Sequence, residues 1–371
     1  MFRSIRKLRT SMRILIVHPV MTFLGGGERL CCDTIRALQS GGHDLTMLSS
    51  DFEPEKLEKF FGYGELFARV DLMLYKSTDW SDQFGTSTHL LRHLRGQRKA
   101  LRQATHSYDP NFDVIFSTQD PGYLPAMRRP VIQWGYFPKT FSYPTSLPRT
   151  IRSLPLRLHY QQQISRIGLV LAISRYSKES LDREWKRPSK LLHPACNMVR
   201  ATSKRDLVVT AARAIPGKHL ELFWTIAKAR PQYEFIMLLT QDPYSSEYAN
   251  DLIRQTPYNG KILLDPKKEL YHSVLGEAKV YLHFMQNEHF GITVVEAMSA
   301  SCVPIVHDSG GPAEIVDALS GFRWKRIQEI PAMLDRAIRM APSEAARLEA
   351  QEFTYERFQR GLSSIFSELQ A

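Results

Sequence analysis

No run of about eighteen apolar residues occurs in this 371-residue chain, so no segment has the length and polarity of a membrane-spanning helix. The opening stretch, MFRSIRKLRTSMR, is basic but lacks the apolar core of a secretory signal, so export is not expected. Only four cysteines are present, Cys31, Cys32, Cys196 and Cys302, at neither metal-binding nor disulfide spacing. That argues against a zinc site and points to a reducing compartment. Acidic side chains are missing between Asp120 and Glu179, where nine Lys and Arg occur with Trp134, Tyr136, Phe137, Phe141, Tyr143 and Tyr160. A basic, aromatic segment without acids suits an anionic surface: lipid headgroups, a phosphorylated acceptor or nucleic acid. A solvated basic face over inward-packed aromatics is the plainer alternative.

The charge that is present is unevenly spread. Residues 1–175 carry 24 Lys and Arg against 14 Asp and Glu, whereas residues 176–371 carry 25 against 24. The length favours two domains, and 43% hydrophobic with 23% charged residues is a globular composition.

Two α/β series follow one another. RILIVHPV (13–20) has strand length and character, ERLCCDTIRALQSGG reads as a helix with a glycine stop, and HDLTMLSS as a second strand. Such a βαβ unit implies a parallel sheet. Further strands are predicted at 113–118, 130–137 and 168–174, with a helix at 85–106. The second series has strands at 206–212, 234–240, 261–265, 279–285 and 303–308, and helices at 218–230, 267–277, 292–301 and 312–318. The expected organisation is a basic, flexible N-terminus (1–12), a first domain (13–190), a linker (191–205), a second domain (206–341) and a helical tail (342–371). Ligands of doubly wound sheets sit outside the carboxyl ends of the strands.

Three motifs fall at such strand ends. GGGER (25–29) lies where a phosphate loop would, since Gly25, Gly26 and Gly27 let backbone amides approach an anion. The dinucleotide fingerprint G-x-G-x-x-G is not completed, because Leu30 takes its last position, and Asp51 is the best ribose partner in reach. ARAIPGKH (212–219) places Arg213 and Lys218 after a strand, one fork-shaped and one compact cation suited to a diphosphate. NEHFGITVVEAMSASC (287–302) puts Glu288 in a polar turn, Phe290-Gly291 before a helix, and Glu296 inside an apolar run. A buried glutamate needs a polar partner. That partner is either a ligand between Glu288 and Glu296 or a structural Arg or backbone group.

EHFGITVVEAM resembles the E-x7-E element of family-4 glycosyltransferases, and ARAIPGK resembles their Arg-x4-Lys diphosphate clamp. Together with HPVMTFLGGGERL and HDSGGPAEIV, these motifs look most like the GDP-mannose-dependent α-1,2-mannosyltransferases that extend lipid-linked oligosaccharides. The resemblance implies a GT-B fold: two Rossmann-like, doubly wound domains facing a central cleft, with the tail helix crossing back onto the first. It also implies a retaining hexosyltransferase without a bound metal or other cofactor, using a nucleotide sugar, GDP-mannose favoured. Arg213 and Lys218 would neutralise the leaving diphosphate, Glu288 would hold sugar hydroxyls and Glu296 the ribose. Backbone amides at Phe290, Gly291 and Ile292 would meet phosphate or sugar, and Gly26 and Gly27 would border the reacting groups. The expected acceptor is a glycan or lipid phosphate, at the cytoplasmic face of an anionic membrane, with no nucleic acid. A nucleotide-sugar-binding module without turnover is the alternative.

Two positions depart from the family pattern. WGYFP (134–138) has Tyr136 where relatives carry a histidine that touches the donor sugar, and Ser301 stands where they close the E-x7-E helix with glycine. A left-handed Ser301 would cost about 1 kcal/mol relative to Gly. Among the histidines, His289 and His307 are candidate donor-site residues, whereas His18 and His283 read as strand residues satisfied by the backbone.

Overall fold

The structure is a computed structural model that describes residues 11–21, 23–76, 87–105, 112–124, 129–138, 147–241 and 245–370. The chain divides into two units: Met1–Ile173 with Ser177–Leu192 and Gln359–Ala371, and Ser174–Tyr176 with His193–Phe358. Residues 1–10 of the basic N-terminus, and Phe141 and Tyr143 of the acid-free segment, lie outside the described residues.

The first unit is built on a parallel sheet of β1 (Arg13–Val17), β2 (Asp44–Ser49), β3 (Asp71–Leu74), β4 (Val114–Ser117), β5 (Val131–Gly135), β6 (Ile167–Ala172) and β7 (Ser189–Leu191), in the order β3-β2-β1-β4-β5-β6-β7. Its helices are α1 (Gly26–Ser40), α2 (Pro54–Phe61), α3 (Ser87–Thr105), α4 (Leu147–Ile164) and α5 (Arg175–Trp185). Strand side chains alternate between faces, and both faces are covered, which is why ILIV is apolar at every position. Leu15, Val17, Ile115 and Val131 pack with Leu91 and Leu94 of α3 and Leu156 and Tyr160 of α4. On α1, Thr34 accepts a hydrogen bond from the Trp134 indole of β5 (3.1 Å).

The second unit repeats the plan with β8 (Arg205–Arg213), β9 (Glu234–Thr240), β10 (Gly260–Leu264), β11 (Ala278–Leu282), β12 (Val303–His307) and β13 (Phe322–Trp324), ordered β10-β9-β8-β11-β12-β13. Its helices are α6 (Glu221–Ala229), α7 (Ser246–Arg254), α8 (Lys268–Glu277), α9 (Ile292–Ser299), α10 (Gly310–Ile315), α11 (Ile330–Met340) and α12 (Glu344–Ala350). Phe223 and Trp224 of α6 fill the core against Phe235, Val280 and Leu334. The last helix, α13 (Tyr355–Gln370), leaves this unit at Phe358 and continues in the first, where Phe366 lies 5.3 Å from the His43 ring and 6.2 Å from Phe116.

Two boundaries differ from expectation. Of the stretch expected as a linker, 191–205, Leu191 and Leu192 belong to the first unit, and from His193 on the chain packs on the second: Cys196 N donates to Phe353 O (2.8 Å), Val199 N to Ser299 Oγ (2.8 Å) and Thr202 N to Gly276 O (3.0 Å). Its backbone groups find partners without a regular element, so no periodicity announces them. The helical tail expected from 342 is broken into α12, a 3-10 turn at Gln351–Phe353 and α13. Ser343 caps α12 by accepting from Ala346 N (3.1 Å), and Thr354 is extended, which separates the helices.

Replacing Phe223, which is fully buried, by alanine is expected to destabilise the second unit by about 3–5 kcal/mol. Denaturant unfolding followed by tryptophan fluorescence measures this, because Trp224 lies 5.4 Å from the Phe223 ring.

Candidate active site

In both sheets the strand order reverses between the unit's first strand and its fourth: β1 and β4, then β8 and β11. Loops leaving the carboxyl ends of such a pair splay apart and leave a crevice. In the second unit these loops carry two of the three motifs.

Lys218 ends the 3-10 turn Pro216–Lys218 after β8, and its amine forms a salt bridge with Glu288 in the loop after β11. His283, one residue past β11, places Nε2 3.6 Å from Glu288 Oε2. The other carboxylate oxygen of Glu288 accepts from His289 N (3.1 Å). Burial works against the charge on Glu288, but Lys218 and His283 outweigh it and hold the carboxyl well below the usual range. Burial, with Lys218 nearby, keeps His283 neutral to lower pH than a free imidazole.

The loop has this shape because two glycines lie behind it. Gly310 has φ +74°, and a Cβ there would come within 2.7 Å of Glu288 N; Gly311 N donates to Glu288 O (2.8 Å). Gly291 then takes φ +104° as the N-cap of α9, a conformation that favours glycine. The first amides of α9 have no partners within the helix, and their dipoles add positive potential. Phe290 is buried against His193 and Phe353, so only its backbone is offered to a ligand. Ile292 opens the helix.

Glu296 lies one turn inside α9, buried, and its Oε2 accepts from the Tyr271 hydroxyl of α8 (2.7 Å). The partner that a buried glutamate requires is therefore partly a tyrosine, which nothing in the sequence of α8 singles out. A second tyrosine ties the two loops together. The buried Tyr281 hydroxyl accepts from Ala211 N (3.2 Å), donates to Ala211 O (3.0 Å) and meets Thr293 Oγ1 (2.7 Å). It thereby fixes the start of α9 beside the end of β8, where Arg213 stands. His307 ends β12, its Nδ1 2.7 Å from Ser309 Oγ and its ring edge-on to Trp324. His289 is half-buried, and its carbonyl accepts from Ser174 Oγ (2.5 Å). Ser301 has φ +62°, the left-handed conformation considered for it from sequence.

Gly26, Gly27 and Tyr136 belong to the first unit. Here the structure adds residues that the sequence reading missed. Glu28 folds back over the helix start and accepts from Gly25 N (2.7 Å), so that amide is taken by the chain's own carboxylate. Glu28 Oε1 faces His18 Nε2 at 3.6 Å, and His18 Nδ1 lies 2.7 Å from Thr118 Oγ1, with the Gln119 amide 3.1 Å from Nε2. Burial opposes charge on His18, but Cys31 and Glu28 outweigh it and raise the imidazole's pKa. Tyr136 donates to Thr118 O (2.9 Å), its hydroxyl oxygen 3.5 Å from where a Gly27 Cβ would lie. Burial and the Glu28 charge raise its phenol well above the ordinary value.

His18 and His283 thus correct the expectation of backbone-satisfied strand residues. Each makes one strand-like backbone bond, His18 N to Leu48 O and His283 N to Ile305 O, yet aims its ring at a glutamate. Each lies one residue past a strand that flanks a reversal point, where the ring leaves the sheet and meets the next loop.

Residues 199–340 match the family described as Glycosyl transferases group 1. A stretch of 97 residues is 35% identical to a GDP-Man:Man(3)GlcNAc(2)-PP-Dol alpha-1,2-mannosyltransferase of Yarrowia lipolytica, covering 26% of this chain and 14% of that one. The same-named protein of Dictyostelium discoideum is 45% identical over 60 residues, 16% of this chain and 12% of that one. The matched stretches thus span well under a quarter of these relatives' own length. In fold, the chain is similar to sucrose-phosphate synthase from Thermosynechococcus elongatus (TM-score 0.75, 13% identity, 96% of this chain and 99% of that one). It is also similar to Anabaena Alr3699/HepE in complex with UDP and glucose (TM-score 0.71, 16% identity, 96% and 99%). Two parallel-sheet α/β units with these neighbours make the fold class GT-B.

Because the Glu288 carboxyl is held below its ordinary value of about 4.3, the stabilisation from its pairing is complete above that pH and is lost as the pH falls through the lower folded value. Lys218→Met is expected to reduce unfolding free energy at pH 7 by about 1.5–3 kcal/mol. The loss should shrink toward pH 3, as read by denaturant melts at both pH values.

Proposed function

We propose that the protein, whose residues 199–340 match the group 1 glycosyl transferase family, is a retaining hexosyltransferase that moves mannose from a nucleotide diphosphate, GDP by preference, to a lipid-linked glycan. The observation that carries this reading is the pairing of Lys218 with Glu288 beside the N-terminus of α9, with Glu296 one turn further in. Negative charge develops on the departing diphosphate in the transition state, and fixed cations and helix dipoles stabilise it most where water is scarce. Arg213 and Lys218 supply the cations, and amides at Gly291 and Ile292 supply the dipole. Glu288, ionised at neutral pH, accepts hydrogen bonds from sugar hydroxyls, and Glu296, held by Tyr271, accepts them from the ribose.

The acceptor hydroxyl attacks on the face from which the diphosphate leaves, so the anomeric configuration is kept. The preference for mannose and a lipid diphosphate acceptor draws on the names of the relatives with matching stretches. Work at the cytoplasmic surface of an anionic membrane draws on the acid-free basic segment. A binding module without turnover has one observation in its favour: Tyr136 has its hydroxyl committed to Thr118 O.

Calorimetry with GDP and UDP, followed by nucleotide release from GDP-mannose with and without a lipid diphosphate acceptor, tests the reading. Binding in the micromolar range with acceptor-dependent release is expected. Glu296→Gln should weaken nucleotide binding about tenfold, as loss of a charged hydrogen-bond acceptor implies, and Tyr271→Phe by a few-fold. Absence of heat with every nucleoside diphosphate would end the proposal, and binding without release would favour the inert module.

A further inference from the structure

Helix α3 contains no acidic residue, and Arg92, Arg95, Lys99 and Arg102 are all exposed. Their spacing of three, four and three residues puts them on one face. The opposite face, with Leu91 and Leu94, is buried in the first unit's core. The half-buried Arg98 lies between, donating to Leu124 O (2.9 Å). Burial and the neighbouring Arg166, Arg95 and Arg102 depress its pKa, which reflects the density of positive charge there.

Helix α4 lies beside α3. Both contribute to the same core cluster, so they cover the same face of the sheet and turn their outer sides the same way. Helix α4 is also free of acids, and its outer side exposes Leu154 at 51% and Leu158 at 55%, four residues apart. Single exposed leucines are normal on a protein surface, but here two stand one turn apart on the helix that packs beside the cationic α3.

We propose that the outer faces of α3 and α4 form a docking surface for an anionic phospholipid bilayer, with the α3 cations over the headgroups and Leu154 and Leu158 at the acyl boundary. This rests on the reading of the protein as a transferase to a lipid-linked acceptor and names the surface that meets the membrane. Charge and apolar contact act together here. Clustered Lys and Arg are drawn to a negative leaflet, each raising partition about fivefold (about 1 kcal/mol), and exposed leucines add burial at the interface. A nucleic-acid phosphate backbone would use the same cations but gives the two leucines nothing to contact.

The test is co-sedimentation of the full chain with phosphatidylcholine vesicles, with or without 30% phosphatidylserine, at low and high salt. Binding only to the anionic vesicles, weakened severalfold or more by 0.5 M salt, is expected. Replacing Arg92, Arg95, Lys99 and Arg102 together by glutamine should lower partition more than about a hundredfold. Leu154→Ser with Leu158→Ser should lower it about tenfold while leaving calorimetric nucleotide binding and the thermal transition unchanged. Equal binding to both vesicles, or variants that bind like the parent, would overturn the surface. So would duplex DNA binding that outcompetes vesicles and ignores the leucine changes. Nucleotide binding is read separately, so its loss with vesicle binding intact would fault the transferase reading and not this surface.

Discussion

A carboxylate removed from water beside a lysine amine is tolerable only if both are held, and much of the second unit's upper edge serves that end. Lys218 arrives from the β8 side of the strand reversal and Glu288 from the β11 side, so their pairing closes the two loops toward each other. Gly310 and Gly311 let the Glu288 loop lie directly on their backbone, and the Tyr281 hydroxyl pins the start of α9 to the end of β8. Without these contacts the charges could separate into solvent, where each is worth little. With them, an arrangement suited to a phosphate sits preformed, because the amine that pairs with the carboxylate can also face an anionic ligand.

The first unit repeats the device with its parts exchanged. His18 faces Glu28 beside the first strand reversal, at the same 3.6 Å that separates His283 from Glu288, and in each pair both residues follow one strand. In the first unit, however, the carboxylate caps the helix that follows β1 and takes the Gly25 amide. A glycine-rich turn at a helix start that supplies its own carboxylate is poorly suited to a second anion. The first unit's glycines therefore differ in kind from the Gly291 turn at α9, a helix with no acidic residue in its first turn.

The central strands were legible because burial on both faces makes each an apolar run: EFIMLLT at 234–240 is the strand observed, residue for residue. The edges were not. The strands β3, β7 and β13 are three or four residues long and include exposed or half-exposed positions, so they carry neither an apolar run nor alternation. The acidic and cationic members of the site could be read from loop position and residue type. Tyr271, Tyr281 and the His18–Glu28 pair could not, because what marks them is a partner far away in sequence. Glu296 shows the limit well: its burial was evident from its apolar neighbours, but the identity of its hydroxyl partner needed the packing of α8 against α9.

The tail helix has a consequence for the order in which the molecule is made. Gln359–Ala371 belongs to the first unit, and Leu362 and Phe366 are nearly inaccessible there. A chain emerging from the ribosome therefore synthesises all of the second unit before it supplies the piece that seals the flank of α1. Until that piece has been made, the older half waits with its apolar seam uncovered, so the N-terminal half stays exposed to misfolding longer than its own length would suggest.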